Sequence, residues 1–113
     1  MSTDKKPHLD RDALERVAET FKLFSDATRL AILQALREEA RPVNELVNEL
    51  GTTQANISKH LRLLREGGLL TSEKRGIQVF YSINDEIVFP MCELVCGKLN
   101  RDIEAAQNMN FSI

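Results

Sequence analysis

Gln54, Asn56, Ser58, Lys59 and Arg62 fall within nine residues and carry the functional groups that read nucleic acid. Amides and a hydroxyl exchange hydrogen bonds with base edges, while an ammonium and a guanidinium pair with phosphates. Placed on a helix at about 100° per residue, Ile57, Leu61 and Leu64 stack on one side. Ala55, Ser58, Lys59 and Arg62 turn to the other, with Gln54 and Asn56 flanking the first turn. No bulky apolar side chain obstructs that outer face. The pattern implies a helix that probes DNA.

A second pair with chemical potential is Cys92 and Cys96. Their i, i+4 spacing sets both sulfurs on one helical face, a clip for a soft metal or a reactive thiol pair. The same positions lie in an apolar stripe with Val88, Val95, Leu99, Ile103 and Ala106, where a free cysteine packs as a small hydrophobe. Packing is the preferred reading, and thiol or soft-metal sensing through Cys92 and Cys96 stays open beside it. An intrahelical disulfide is disfavoured, because Cβ atoms a turn apart exceed the roughly 3.5–4.5 Å that a bridge requires. His60 borders the apolar face of the probe helix and has no ligand one turn away, so it reads as a packed, hydrogen-bonded histidine rather than a metal ligand. His8 lies in the polar leader and receives no role. No phosphate-cradling glycine loop, nucleophile with a base, or paired carboxylates argue for an enzyme, and no cofactor is expected.

These groups need elements to position them. Leu14, Val17, Ala18, Phe21 and Phe24 form an i, i+3, i+4, i+7 stripe on a first helix over residues 10–24. Ser25 or Asp26 caps a second helix that carries Leu30, Ile32, Leu33 and Leu36 to about Glu39. Pro42 suits the first turn of a third helix ending near Leu50, and Gly51 supplies the turn after it. Thr53 caps the probe helix, which Gly67-Gly68 ends. Residues 69–74 and 77–83 are β-rich around Arg75-Gly76, a hairpin with a basic tip. A last helix runs from about Asp85 to Gln107, with Pro90 in its first turn.

The order α-α-α-α-β-β-α, mostly helical with a small β-hairpin, is that of a winged helix-turn-helix. Residues 10–107 form the single domain, and 1–9 and 108–113 are expected to be flexible tails. Thr53, Gln54, Asn56, Ser58, Lys59 and Arg62 would face DNA from the helix, and Lys74, Arg75 and Gln78 from the wing. The first and last helices carry more apolar surface than 113 residues need in a monomer. Leu14, Val17, Phe21, Cys92, Val95, Leu99 and Ile103 are therefore expected in a homodimer interface. A two-fold dimer would set its probe helices about 34–36 Å apart, matching a palindromic operator of double-stranded DNA.

Charge supports this placement. The whole chain has a formal charge of −2. Residues 54–76 hold five Lys/Arg against Glu66 and Glu73, so the excess of negative charge lies elsewhere. A local cationic surface on an acidic body suits phosphate docking. The apolar share of 42% and charged share of 28% are those of a globular domain. No apolar run approaches the ~20 residues of a membrane span. The polar first residues are unlike an export signal, and two cysteines fit a reducing cytoplasm.

The chain resembles the arsenic-repressor (ArsR/SmtB-like) family of transcription factors over about residues 12–100. Leu23-Phe24-Ser25-Asp26-Ala27-Thr28-Arg29-Leu30-Ala31-Ile32-Leu33 is similar to that family's L-x-x-D-x-T-R-x-x-I-L. Gln54-Ala55-Asn56-Ile57-Ser58-Lys59-His60-Leu61 is similar to its Q-x-x-[VI]-S-x-H-L, and Leu64-Arg65-Glu66-Gly67-Gly68-Leu69-Leu70 to its L-R-E-A-G-L-V. The resemblance implies a homodimeric repressor that leaves its operator when an effector binds; the effector is unknown. Two departures qualify it. Where many metal-sensing members carry Cys-x-Cys, this chain has Glu45-Leu46-Val47-Asn48-Glu49-Leu50. Where others carry histidines in the last helix, it has Asp85 and Glu86 but no histidine. An architectural or protein-interaction module without specific DNA readout is the rival of another class, opposed by the polar probe helix.

Overall fold

A carboxylate starts the first helix. In the computed structural model, which describes residues 8–104 and 111–113, Asp10 accepts a hydrogen bond from the Ala13 amide at 2.9 Å and caps α1 (Arg11–Lys22). This helix buries none of its side chains. Asp26, rather than Ser25, caps α2 (Ala27–Ala35) by accepting from the Arg29 amide at 3.0 Å.

The second helix ends four residues before Glu39, the expected limit. Its early stop lets Arg41–Pro42 form β1, a strand that periodicity did not suggest. The Arg41 guanidinium secures the bend, reaching Glu45 at 3.2 Å, Glu49 at 2.7 Å and the Ala35 carbonyl at 3.4 Å. Pro42 then precedes α3 (Val43–Leu50) rather than opening its first turn. Gly51 closes α3 in the left-handed region at φ 67°, where any Cβ would be strained. After this turn Thr53 accepts from the Asn56 amide at 3.1 Å and begins α4 (Gln54–Glu66), as expected.

The wing is β2 (Leu70–Arg75) and β3 (Gln78–Ile83), joined by Gly76–Ile77. The three strands form an antiparallel sheet in the order β1-β3-β2. Tyr81 sits at its centre, opposite Arg41 on one side and Ser72 on the other. The sheet leads into α5 (Val88–Ile103). That helix starts later than Asp85 because the Asp85 carboxylate accepts from the Ile87 amide at 2.9 Å. Pro90 does lie in its first turn.

The core joins Ile32, Leu33 and Leu36 to Leu46 of α3 and to Ile57, Leu61 and Leu64 of α4. Leu69, Leu70 and Val88 complete it from the wing root and α5, and Tyr81 packs against its edge. Each fully buried leucine or isoleucine contributes roughly 1.5–3 kcal/mol. The helix-turn-helix is therefore the rigid centre, and α1 lies outside it.

Residues 1–7, and Ala106 and Gln107 with the rest of 105–110, lie outside the described residues. Residues 111–113, part of the tail expected from 108, make hydrogen bonds back to the domain. There the Asn100 amide brackets Phe111, accepting from its N–H at 2.7 Å and donating to its carbonyl at 3.1 Å. Arg37 donates to the Ile113 main-chain oxygen at 2.6 Å.

Candidate nucleic-acid interface

The inner face of α4 is sealed: Ile57, Leu61 and Leu64 have no exposure and His60 has 5%. With that face fixed, Gln54, Ala55, Ser58, Lys59 and Arg62 are forced outward, and all five are exposed. Among the described residues Lys59 and Arg62 have no ion-pair partner, so both cations remain available for phosphates. Thr53 accepts its capping bond through Oγ1 and, being exposed, keeps its hydroxyl hydrogen available to donate outward.

Asn56 differs from its fellows. It is half-buried and donates its amide to Thr52 Oγ1 at 3.2 Å. The flank of the first turn turns inward at this position, so Asn56 shapes the helix start more than it faces outward.

The wing residues divide similarly. Lys74 is exposed. Arg75 pairs with Glu73 at 3.0 Å and lies over the Phe80 ring, 4.4 Å from its centroid. Gln78 donates to Asn44 Oδ1 at 3.1 Å, a bond that ties the wing to α3. Phe80 lies across the hairpin and Asn44 lies 34 residues away, so periodicity along the chain carried no sign of either; Glu73, two residues from Arg75 on the same strand, is a local partner.

A positioning network also escaped the reading of single residues. Arg29 donates from Nε to the Leu23 carbonyl at 3.0 Å and from Nη2 to the Lys22 carbonyl at 2.8 Å. Its Nη1 lies 3.1 Å from His60 Nδ1. One guanidinium thus joins the end of α1, the start of α2 and the middle of α4. Because a guanidinium can only donate, Nδ1 must accept, which leaves His60 neutral with its proton on Nε2. Asp26 Oδ1 stands 3.8 Å from that nitrogen. Burial lowers the His60 pKa from its usual 6.5; Arg29 and Lys59 push the same way and Asp26 opposes them. The Arg29 amide bond in turn lowers the Asp26 pKa. The available signal is the Asp26-Ala27-Thr28-Arg29 sequence, whose Asp26 both caps α2 and stands beside His60.

The apolar flank lies on the opposite side. Leu14, Val17 and Phe21 of α1 and Leu94 and Val95 of α5 are exposed large hydrophobics, with Phe21 at 57% and Val95 at 55%. Between the helices runs an apolar groove of about 570 Å³, lined by Phe21, Phe24, Met91, Cys92, Val95 and Leu99. Leu99 and Ile103 are half-buried, while Cys92 is already buried within its own subunit. Burial, reinforced by Cys96, pushes the Cys92 thiol above its usual 9.0. The thiolate is thereby disfavoured. Native Cys92 should accordingly be alkylated by iodoacetamide at least about tenfold more slowly than the unfolded chain, as followed by peptide mass spectrometry. Equal rates would show that the thiol is open to solvent. Among the described residues no three His, Cys, Asp or Glu side chains gather as a metal site. No helix among them is long and apolar enough to cross a membrane.

A sealed helix with a polar outer face, following a glycine turn and flanked by a hairpin, defines a winged helix-turn-helix DNA-binding protein. Comparison with known proteins gives the family. A helix-turn-helix domain model matches residues 24–73. An uncharacterized HTH-type transcriptional regulator of Methanocaldococcus jannaschii is 40% identical over 82 residues, covering 72% of this chain and 92% of that protein. The HTH-type transcriptional repressor SmtB of Mycobacterium tuberculosis is 36% identical over 75 residues, 66% of this chain but only 56% of that protein. Among solved structures, a homodimeric winged helix-turn-helix DNA-binding domain of Mycobacterium bovis superimposes with a TM-score of 0.74. It is 27% identical and covers 94% of this chain and 100% of that one. The chain belongs to the ArsR/SmtB-like family of winged helix-turn-helix transcriptional regulators. These are regulators, not enzymes.

Proposed function

We propose that this protein is a homodimeric repressor acting on double-stranded DNA in the cytoplasm. Its α4 lies in the major groove of each half of a palindromic operator, and its wings lie alongside. The observation that carries the proposal is the contrast across α4, which buries its inner face completely and leaves Gln54, Ser58, Lys59 and Arg62 unencumbered outside. Gln54 and Ser58 read base edges, and Lys59, Arg62 and Lys74 hold phosphates. Asn56, Arg75 and Gln78, being engaged internally, contribute to the shape of the surface. The unpartnered apolar faces of α1 and α5 supply the contact with a second copy, supported by the homodimeric M. bovis neighbour. Leu14, Val17, Phe21, Val95, Leu99 and Ile103 form that contact, and Cys92 supports it from beneath. The sensor reading gains nothing from a buried Cys92 whose thiolate is disfavoured.

Fluorescence anisotropy on a duplex selected from a random pool tests the proposal. Lys59→Ala and Arg62→Ala should each weaken binding to every sequence and lower the salt slope by about 0.9. Gln54→Ala should instead flatten base preference, costing about 1–3 kcal/mol on the selected site. Unchanged affinity for every duplex after both cation replacements would remove α4 from the interface.

A further inference from the structure

The tip of the wing has an unusual composition. Arg75 and Gln78 face each other across the two-residue turn Gly76–Ile77. Gly76 takes φ 65°, and the following residue keeps an ordinary negative φ, as in the type II′ turn that fits the twist of paired strands. The second place in such a turn makes no demand on residue type, and small polar residues ordinarily meet water there. Here it holds Ile77, 99% exposed.

The neighbours of Ile77 accentuate this exposure. The Arg75 guanidinium folds back onto Glu73 and Phe80, and the Gln78 amide is drawn to Asn44. The foremost group of the wing is therefore an aliphatic side chain, and the nearest cations and amides stand behind it. A shallow cleft of about 240 Å³ runs from Ile77 and Val79 past Asn44 to Gln54, the first residue of α4. The wing tip is thus continuous with the surface proposed to meet DNA.

We propose that Ile77 is an apolar minor-groove contact that makes the wing select A·T pairs in the sequence flanking each half-site. This rests on the DNA-binding reading above. With α4 in the major groove, the adjacent hairpin meets the neighbouring minor groove. The floor of that groove offers only acceptors at A·T pairs, whereas G·C adds the guanine N2 amino group. An isoleucine pressed onto the floor displaces water, and a covered amino group is left without an acceptor. Over A·T it meets the adenine C2–H edge with no donor to strand. Aliphatic wedges of this kind serve minor-groove binders.

The experiment uses the full chain and a duplex that the wild type selects from a random pool. Affinity is measured by anisotropy on that duplex, on one with its flanking A·T pairs changed to G·C, and on one with the same pairs changed to inosine·C. Inosine·C keeps the G·C major-groove pattern and lacks the minor-groove amino group. The wild type should bind the G·C version about tenfold more weakly and recover on inosine·C. Ile77→Ser should bind all the duplexes within about twofold of one another, with an unchanged salt slope because no cation is lost. Wild-type discrimination retained by Ile77→Ser, or no recovery on inosine·C, overturns the proposal. Lys59→Ala, measured in parallel, separates the readings. Loss of binding by Lys59→Ala beside an unaltered Ile77→Ser removes the wing contact and leaves α4 in place, whereas a wild type that enriches no sequence removes both.

Discussion

Val95→Glu should turn the protein into a folded monomer that no longer holds its operator. Val95 is 55% exposed in the subunit, so a glutamate there reaches water and leaves the subunit core intact. Pressed against a second copy, the same carboxylate would be buried without a partner, at a cost of about 3–5 kcal/mol. Two-fold symmetry imposes the cost twice. The dimer dissociation constant should then rise by at least roughly a thousandfold. Sedimentation equilibrium at micromolar concentration should show wild-type dimers and mutant monomers, with circular dichroism unchanged. Operator affinity should collapse with the dimer, because each α4 then binds its half-site alone. Leu99→Glu is a blunter probe, since half-buried Leu99 would also disturb its own subunit. A wild type that sediments as a monomer would end the dimer proposal.

The second large effect is expected at Arg29. Arg29→Ala strands the Leu23 carbonyl and the buried His60 Nδ1 at one stroke, while the Lys22 carbonyl still accepts from the Ser25 amide and hydroxyl. Unsatisfied groups of this sort cost about 1–3 kcal/mol each, partly recovered where water enters, so a loss of about 2–4 kcal/mol is expected in urea unfolding. The histidine that Arg29 contacts sets a pH dependence through its burial. The folded-state pKa of His60 lies below its usual 6.5, so between the two values the unfolded chain binds more protons. The His60 contribution is then fully present above about pH 6.5 and is lost as pH falls through the folded value. Asp26 acts in the same direction further down, below its usual 3.8. Removing Arg29 lifts one of the forces holding His60 neutral, so the acid loss of stability should become shallower. Unfolding curves between about pH 5 and 8 check this. A wild type whose stability does not change below pH 6.5 would show that His60 is not held neutral by folding.

Much of this architecture was legible in the residues because the signals were local. The stripe of Ile57, Leu61 and Leu64 placed α4, Thr53 and Gly51 punctuated it, and Arg75-Gly76 placed the wing within a residue at each strand. What stayed hidden depended on distant partners. No periodicity can announce a strand of two residues containing proline, since β1 exists only because Tyr81 and Phe80 pass beside it. That pairing becomes possible because α2 stops at Ala35, which the apolar pattern of the segment did not announce. At the interface the same distinction holds. Gln54, Ser58, Lys59 and Arg62 were correctly turned outward by helical geometry, whereas the Gln78–Asn44 bond and the seat of Arg75 on Phe80 required the tertiary fold. Arg29 shows the converse: it stands in a visible sequence motif, but its physical role comes from the contact of its guanidinium with His60.

The seat of Tyr81 has a practical consequence. The chain contains one tyrosine and no tryptophan. Its intrinsic fluorescence therefore issues from a single phenol, lodged where the three strands meet at the base of the hairpin. A change in its emission intensity on adding a ligand transparent at the tyrosine excitation wavelength reports on that junction. The protein thus carries its own optical label for wing movement, and small-molecule titrations need no dye that would burden α4 or the α1–α5 flank.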